Sequence, residues 1–231
     1  MEQIFEDTVG PQQARAAVMV GRMNPPTAGH YKVIDTMKNF IRSNPKLKLS
    51  ATPIVVVVDG EKTSQDKLKN PLTADERVKF MSGSGRANGV LFVIAPSAFA
   101  AFEEVRKAGY EPIAIAAGSD RSQRYMEILD KYFKTADGGD IKHYTIPGLD
   151  RDGAGATGKT SSIEKALETL KKGDELDVSE VSGSMARRAV ELGYQEEFAE
   201  IVGLGKKPKL AKMLFDKIKK SMAEGEPDGS V

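Results

Sequence analysis

The chain has 231 residues, and its 34 Lys and Arg against 33 Asp and Glu leave a net charge of +1, so no global electrostatic case exists for a nucleic-acid or membrane partner and any basic site must be local. Zero cysteines exclude disulfides and thiolate chemistry, and with His30 and His143 as the only histidines a multi-histidine metal site is a poor expectation. There is no long apolar run and no signal-like amino terminus, which leads to the expectation of a soluble, cytoplasmic protein large enough to bury one substantial core.

In chain order, residues 1–13 are polar and expected to be loosely held. Ala16 to Val20 reads as a strand. Val33, Ile34, Met37 and Ile41 then recur at helical spacing, which predicts a helix over 29–43. The run Ile54-Val55-Val56-Val57-Val58 is apolar at every position, as a strand covered on both faces must be. Further helices are expected over 73–81, 99–108 and 121–133, with strands at 90–95, 112–117 and 144–146 between and after them. This β-α alternation predicts an α/β fold, a Rossmann-like doubly wound parallel sheet over 14–150 that forms a nucleotide-binding core. After it come a Gly-rich insertion loop and helix over 151–180, then helices over 181–223 that form a C-terminal helical subdomain, and a tail over 224–231.

Between the first strand and first helix lies Gly21-Arg22-Met23-Asn24-Pro25-Pro26-Thr27-Ala28-Gly29-His30. A loop in that place delivers the unpaired N–H groups and positive dipole end of the helix to a ligand, a natural seat for a polyphosphate. Thr27 and His30 add hydrogen-bonding side chains, and Gly29 lets a ligand approach the backbone.

Four stretches carry a resemblance. The loop above is similar to the T/H-x-G-H signature of the nucleotidylyltransferase superfamily, and Val181-Ser182-Gly183-Ser184-Met185-Ala186-Arg187 is similar to that family's I-S-x-[ST]-x-x-R pattern. Lys69-Asn70-Pro71-Leu72-Thr73-Ala74-Asp75-Glu76-Arg77 resembles a segment of archaeal-type nicotinamide-mononucleotide adenylyltransferases, and Gly118-Ser119-Asp120 falls where the superfamily has a Gly-x-[DN] turn. The carboxyl-terminal part, Val181 to Gly205, is also similar to phage-encoded nucleotidyltransferase-like proteins, for which a host cytoplasm would be the location. What the resemblance implies is transfer of a nucleoside monophosphate from a nucleoside triphosphate to a small phosphorylated acceptor, with pyrophosphate released and Mg2+ accompanying the triphosphate. ATP and nicotinamide mononucleotide are the first choice. The alternatives are cytidylyl transfer from CTP to a phosphorylated alcohol and a non-catalytic nucleotide-binding module; a homo-oligomer is compatible with all three.

On this reading His30 donates to the α-phosphate, Thr27 supplies a hydroxyl in place of the first histidine of H-x-G-H, and Arg187 holds the β- and γ-phosphates. Ser182 and Ser184 precede a helix, so their hydroxyls either cap it or donate to phosphate, and Arg187 returns three residues later to the face of Ser184. Arg22 and Gly29 serve the nucleotide, as do Gly118 and Asp120, the last either accepting ribose hydroxyls or merely shaping a turn. Lys69 and Arg77 are supporting residues, and Thr73 with Glu76 has the form of a capping box. Phe99 and Phe102 are the only candidates for stacking on an acceptor ring, and their i, i+3 spacing fits a core role equally. No metal ligand is expected. Gly153-Ala154-Gly155-Ala156-Thr157-Gly158-Lys159-Thr160 matches the P-loop pattern. It follows the charged Asp150-Arg151-Asp152 rather than a buried strand, so a mobile insertion is the better reading, with Lys159 at most a closing contact.

Overall fold

The computed structural model describes residues 14–45, 47, 51–134, 141–147, 160–174 and 177–225. The expectations for residues 1–13, for 153–159 of the Gly-rich stretch with Lys159, and for the end of the tail from 226 lie outside the described residues. Five strands, β1 (Ala14–Gly21), β2 (Ala51–Val58), β3 (Leu91–Ala95), β4 (Tyr110–Ala117) and β5 (Tyr144–Pro147), form one parallel sheet in the order β3-β2-β1-β4-β5. The connecting helices are α1 (Ala28–Ser43), α2 (Glu61–Ser64), α3 (Ala74–Gly83), α4 (Ala101–Lys107) and α5 (Ser119–Tyr132).

Alternation along the central strand explains the two covered faces. Ala17 and Met19 of β1 face Tyr31, Ile34 and Met37 of α1 and Met81 of α3. Ala16, Val18 and Val20 face Phe102 and Val105 of α4 and Leu129 of α5. Because helices lie on both sides, the buried middles Ala16 to Val20 of β1 and Ile54 to Val57 of β2 are apolar at every position, which is the pattern legible in sequence. Pro112 lacks the N–H that a ladder needs, and the β1–β4 register shifts beside it, Ala16 pairing with Pro112 and Ala17 with Ala114. β1 thus has β2 on one side and β4 on the other, so the chain winds outward in both directions from the first strand. The carboxyl ends of β1 and β4 flank the crevice where such sheets take ligands.

A further layer is helical: α6 (Thr160–Lys171), α7 (Gly183–Glu191), α8 (Gln195–Ile201) and α9 (Pro208–Ala223). Their apolar faces bury Leu167, Met185, Val190, Phe198, Leu214 and Phe215 together with Leu72 and Phe80 from the α/β layer. Phe198 and Phe215 meet edge to face with ring centroids 5.3 Å apart. Lys217 of α9 pairs with Glu76 of α3 at 2.7 Å. After α8, Gly203 takes a φ of +67° and comes so near the start of α1 that a Cβ there would stand 3.2 Å from Ala28 Cα. Among the described residues no helix is long and apolar enough to cross a membrane.

Candidate active site

A cavity of about 400 Å³ opens at the carboxyl ends of β1 and β4 and is closed on its far side by the start of α7, within the usual range for small-molecule sites. Three helices begin on its wall, for Thr27, Gly118 and Ser182 are the N-cap residues of α1, α5 and α7 and all three line it. Each helix start supplies unpaired N–H groups and the positive end of a dipole.

At the start of α1 the Thr27 backbone N–H donates to His30 Nδ1 at 2.9 Å, and the Thr27 hydroxyl lies 2.9 Å from the same nitrogen. This is a capping box with an imidazole in the place usually held by Glu or Gln. Because Nδ1 accepts, the ring's N–H sits on Nε2, and His30 lines the cavity. Thr27 itself is 1% exposed. Its hydroxyl stands against the ring and so helps to hold its orientation. Gly29 lines the cavity and is also closely packed: a Cβ there would lie 3.3 Å from the Val178 carbonyl oxygen, which belongs to the segment leading into α7.

At the start of α7 the Ser182 hydroxyl accepts from the Met185 N–H at 3.2 Å, which makes it the cap. Ser184 and Arg187 form the i, i+3 pair, Arg187 Nη2 donating to Ser184 Oγ at 3.1 Å. Arg187 Nη1 donates to the backbone carbonyl of Asn24 at 2.7 Å, across from the first-strand loop. Burial pushes the Arg187 guanidinium down and nearby Arg22 pushes it further, with Glu191 and Asp66 opposing. Arg22 and Arg187 are two like charges beside one cavity.

Lys69 also lines the cavity and pairs with Asp66 at 2.9 Å. Arg77 does not reach it. With its side chain 1% exposed, Arg77 donates to the carbonyls of Thr73, Arg22 and Val58 and pairs with Asp59. It therefore fixes the ends of β1 and β2 against α3. Burial pushes its guanidinium down, and Asp59 opposes the shift. Gly118 lines the cavity, whereas Asp120 lies within the first turn of α5 rather than in a loop, and its side chain is outside the described set. Neither Phe99 nor Phe102, the pair weighed between acceptor stacking and core packing, lines this cavity. Phe102 is 0% exposed and packs edge-on against Tyr125 and Phe133, because the apolar face of α4 turns it into the core. Phe99 sits on the surface against Tyr132.

Asn24, Asn70, Arg121 and Ser179 line the cavity and went unread in the sequence. Arg121 carried a usable signal, since a cation in the first turn of a helix opposes the dipole and needs another reason to be there. Arg22, Lys69, Arg121 and Arg187 give the wall four cationic side chains, and no carboxylate stands among the described lining residues. Among the described residues no cluster of His, Cys, Asp or Glu is placed to hold a metal ion.

No protein-family model and no curated protein matches the sequence. Among solved structures, the crystal structure of a bifunctional NMN adenylyltransferase/ADP ribose pyrophosphatase from Francisella tularensis, complexed with AMP and a Mn ion, is similar in fold with a TM-score of 0.50 at 11% identity. The match covers 91% of this chain and 52% of that one, so this chain spans about half the length of the protein it matches. At that identity the likeness is one of fold.

Proposed function

We propose that the chain is a nucleotidylyltransferase that uses this cavity to hold a nucleoside triphosphate. The observation that carries the reading is the convergence of three helix starts and four cationic side chains on one cavity without an opposing carboxylate among its described lining residues. An oxygen of the acceptor phosphate attacks the α-phosphorus and forms the new P–O bond as the bond to the β-phosphate oxygen breaks. Pyrophosphate departs with that electron pair. Such a displacement is helped chiefly by placement and by donors aimed at developing charge. His30 Nε2–H donates to the α-phosphate, Arg187 with Ser184 holds the β- and γ-phosphates, and Arg22 and Lys69 neutralise charge at the mouth. Magnesium enters as part of the nucleotide substrate.

ATP with nicotinamide mononucleotide is the first choice, supported by the Lys69 to Arg77 segment and by a fold shared with a protein that bears an NMN adenylyltransferase. One observation favours the second reading, CTP with a phosphorylated alcohol: none of the described aromatic side chains lines the cavity to stack on a pyridine ring. Pyrophosphate release measured with ATP and CTP against both acceptors separates them. The NAD-forming pair selects the first, CTP with the alcohol phosphate selects the second, and nucleotide binding without turnover reduces the protein to a binding module.

A further inference from the structure

We infer that Asn24 is a positioning residue for the phosphate site, setting the direction of the Arg187 guanidinium through its backbone carbonyl while its side chain locks that carbonyl in place. The inference rests on the polyanion reading of the cavity. Asn24 is buried, and its carboxamide is clasped at both ends by the backbone of one distant residue. Nδ2 donates to the Leu72 carbonyl at 2.8 Å and Oδ1 accepts from the Leu72 N–H at 3.1 Å. A side chain so paired imitates a neighbouring strand. Only Asn carries a donor and an acceptor together at that reach; Asp lacks the donor, and Gln places both one carbon further out.

The clasp matters for what it does to the main chain. The residue before it, Met23, has a φ of 53°, unusual for a side chain of that size, and its side chain is sunk in the core. Held from both sides, the Asn24 carbonyl oxygen stands as a fixed acceptor for Arg187 Nη1. Gly183 is fitted to the same contact. A Cβ on it would stand 3.1 Å from the Asn24 oxygen and 3.4 Å from Arg187 Nη1. Two anchors, the carbonyl and Ser184 Oγ, use one N–H on each terminal nitrogen and fix the plane of the guanidinium. Its remaining N–H groups then form the planar fork that suits phosphate. Without the carbonyl, Arg187 would be free to turn away from like-charged Arg22. Asn24 thereby ties together three segments far apart in sequence, the first-strand loop, the Asn70 to Arg77 segment and the start of α7.

The test is a double-mutant cycle on affinity for inorganic tripolyphosphate, titrated calorimetrically into the full chain, with thermal unfolding to confirm that each variant is folded. Asn24→Ala should weaken binding about tenfold when Arg187 is present, in keeping with loss of a hydrogen bond to a charged group. In an Arg187→Ala background the same change should cost less than about twofold, because contacts acting through one another are not additive. A buried Asn with a merely structural role would cost the same in both backgrounds, and that result overturns the inference. Should Asn24→Ala fail to fold, Gly183→Ala presses on the same contact from the other side and is held to the same pattern. If the wild-type chain does not bind tripolyphosphate, the anion site itself fails; if it binds and the cycle is additive, only the role of Asn24 fails.

Discussion

The starts of α1 and α7 use one device in two ways. Each has a hydroxyl residue at the cap and a phosphate-binding candidate within its first two turns. At α1 the device is self-contained, since His30 folds back onto the backbone N–H of Thr27 three residues earlier. At α7 the cap and the pair are separate, and Arg187 reaches the carbonyl of Asn24, 163 residues away. A local device needs only its own turn to form, so it is set as soon as the helix is. The distant one depends on the helical layer being seated against the sheet, and so makes phosphate binding answer to the packing between layers.

The comparison is broken most sharply at its local half. His30→Ala should lower nucleotidyl transfer by roughly 100- to 1000-fold, the scale for losing one preorganised donor to developing charge, while the protein stays folded. Steady-state turnover together with circular dichroism checks both halves of that statement. Wild-type turnover in a folded variant would leave His30 as a helix cap and no more.

At the distant half, Arg187→Lys should raise the apparent KM for the triphosphate about tenfold, or ~1.4 kcal/mol. An ammonium cannot reach the Asn24 carbonyl and Ser184 together and still present a planar fork. A lysine variant with unchanged KM would show that charge alone suffices there.

The smallest effect concerns the seating of the layers. Burial raises the Glu76 carboxyl, but Lys217 and the Thr73 N–H outweigh it and hold the group below its ordinary range. A depressed carboxyl contributes stability above its unfolded pKa and loses it as pH falls through the folded value. Lys217→Met should therefore cost less than about 1 kcal/mol at neutral pH in chemical denaturation. The difference from wild type should shrink below pH ~4, as the carboxyl protonates. An equal difference at both pH values would mean that the stem of Lys217, not its charge, is what matters.

The same contrast explains what could be read from sequence. Elements whose signal is periodic apolar burial, such as the Val run of β2 or the first helix, stood out, as did Thr27 with His30 and Ser184 with Arg187, pairs whose chemistry lies in their side chains and whose members stand within one turn of each other. The four-residue α2 is too short to show a period. Phe102 could not be assigned because spacing alone does not say which face of α4 meets the sheet. Asn24 was invisible for a different reason: its side chain pairs with main chain 48 residues away, and its contribution to the cavity is a carbonyl that every residue possesses.

The central claim is that the two helix starts grip a single triphosphate from opposite sides, and it is tested most directly by a crystal structure of the full chain with a non-hydrolysable ATP or CTP analogue. The account predicts the α-phosphate within hydrogen-bond distance of His30 Nε2 and the terminal phosphates on Arg187 and Ser184. A triphosphate wrapped by the Gly153 to Thr160 stretch with Lys159 on its phosphates, leaving His30 and Arg187 without contact, would contradict it.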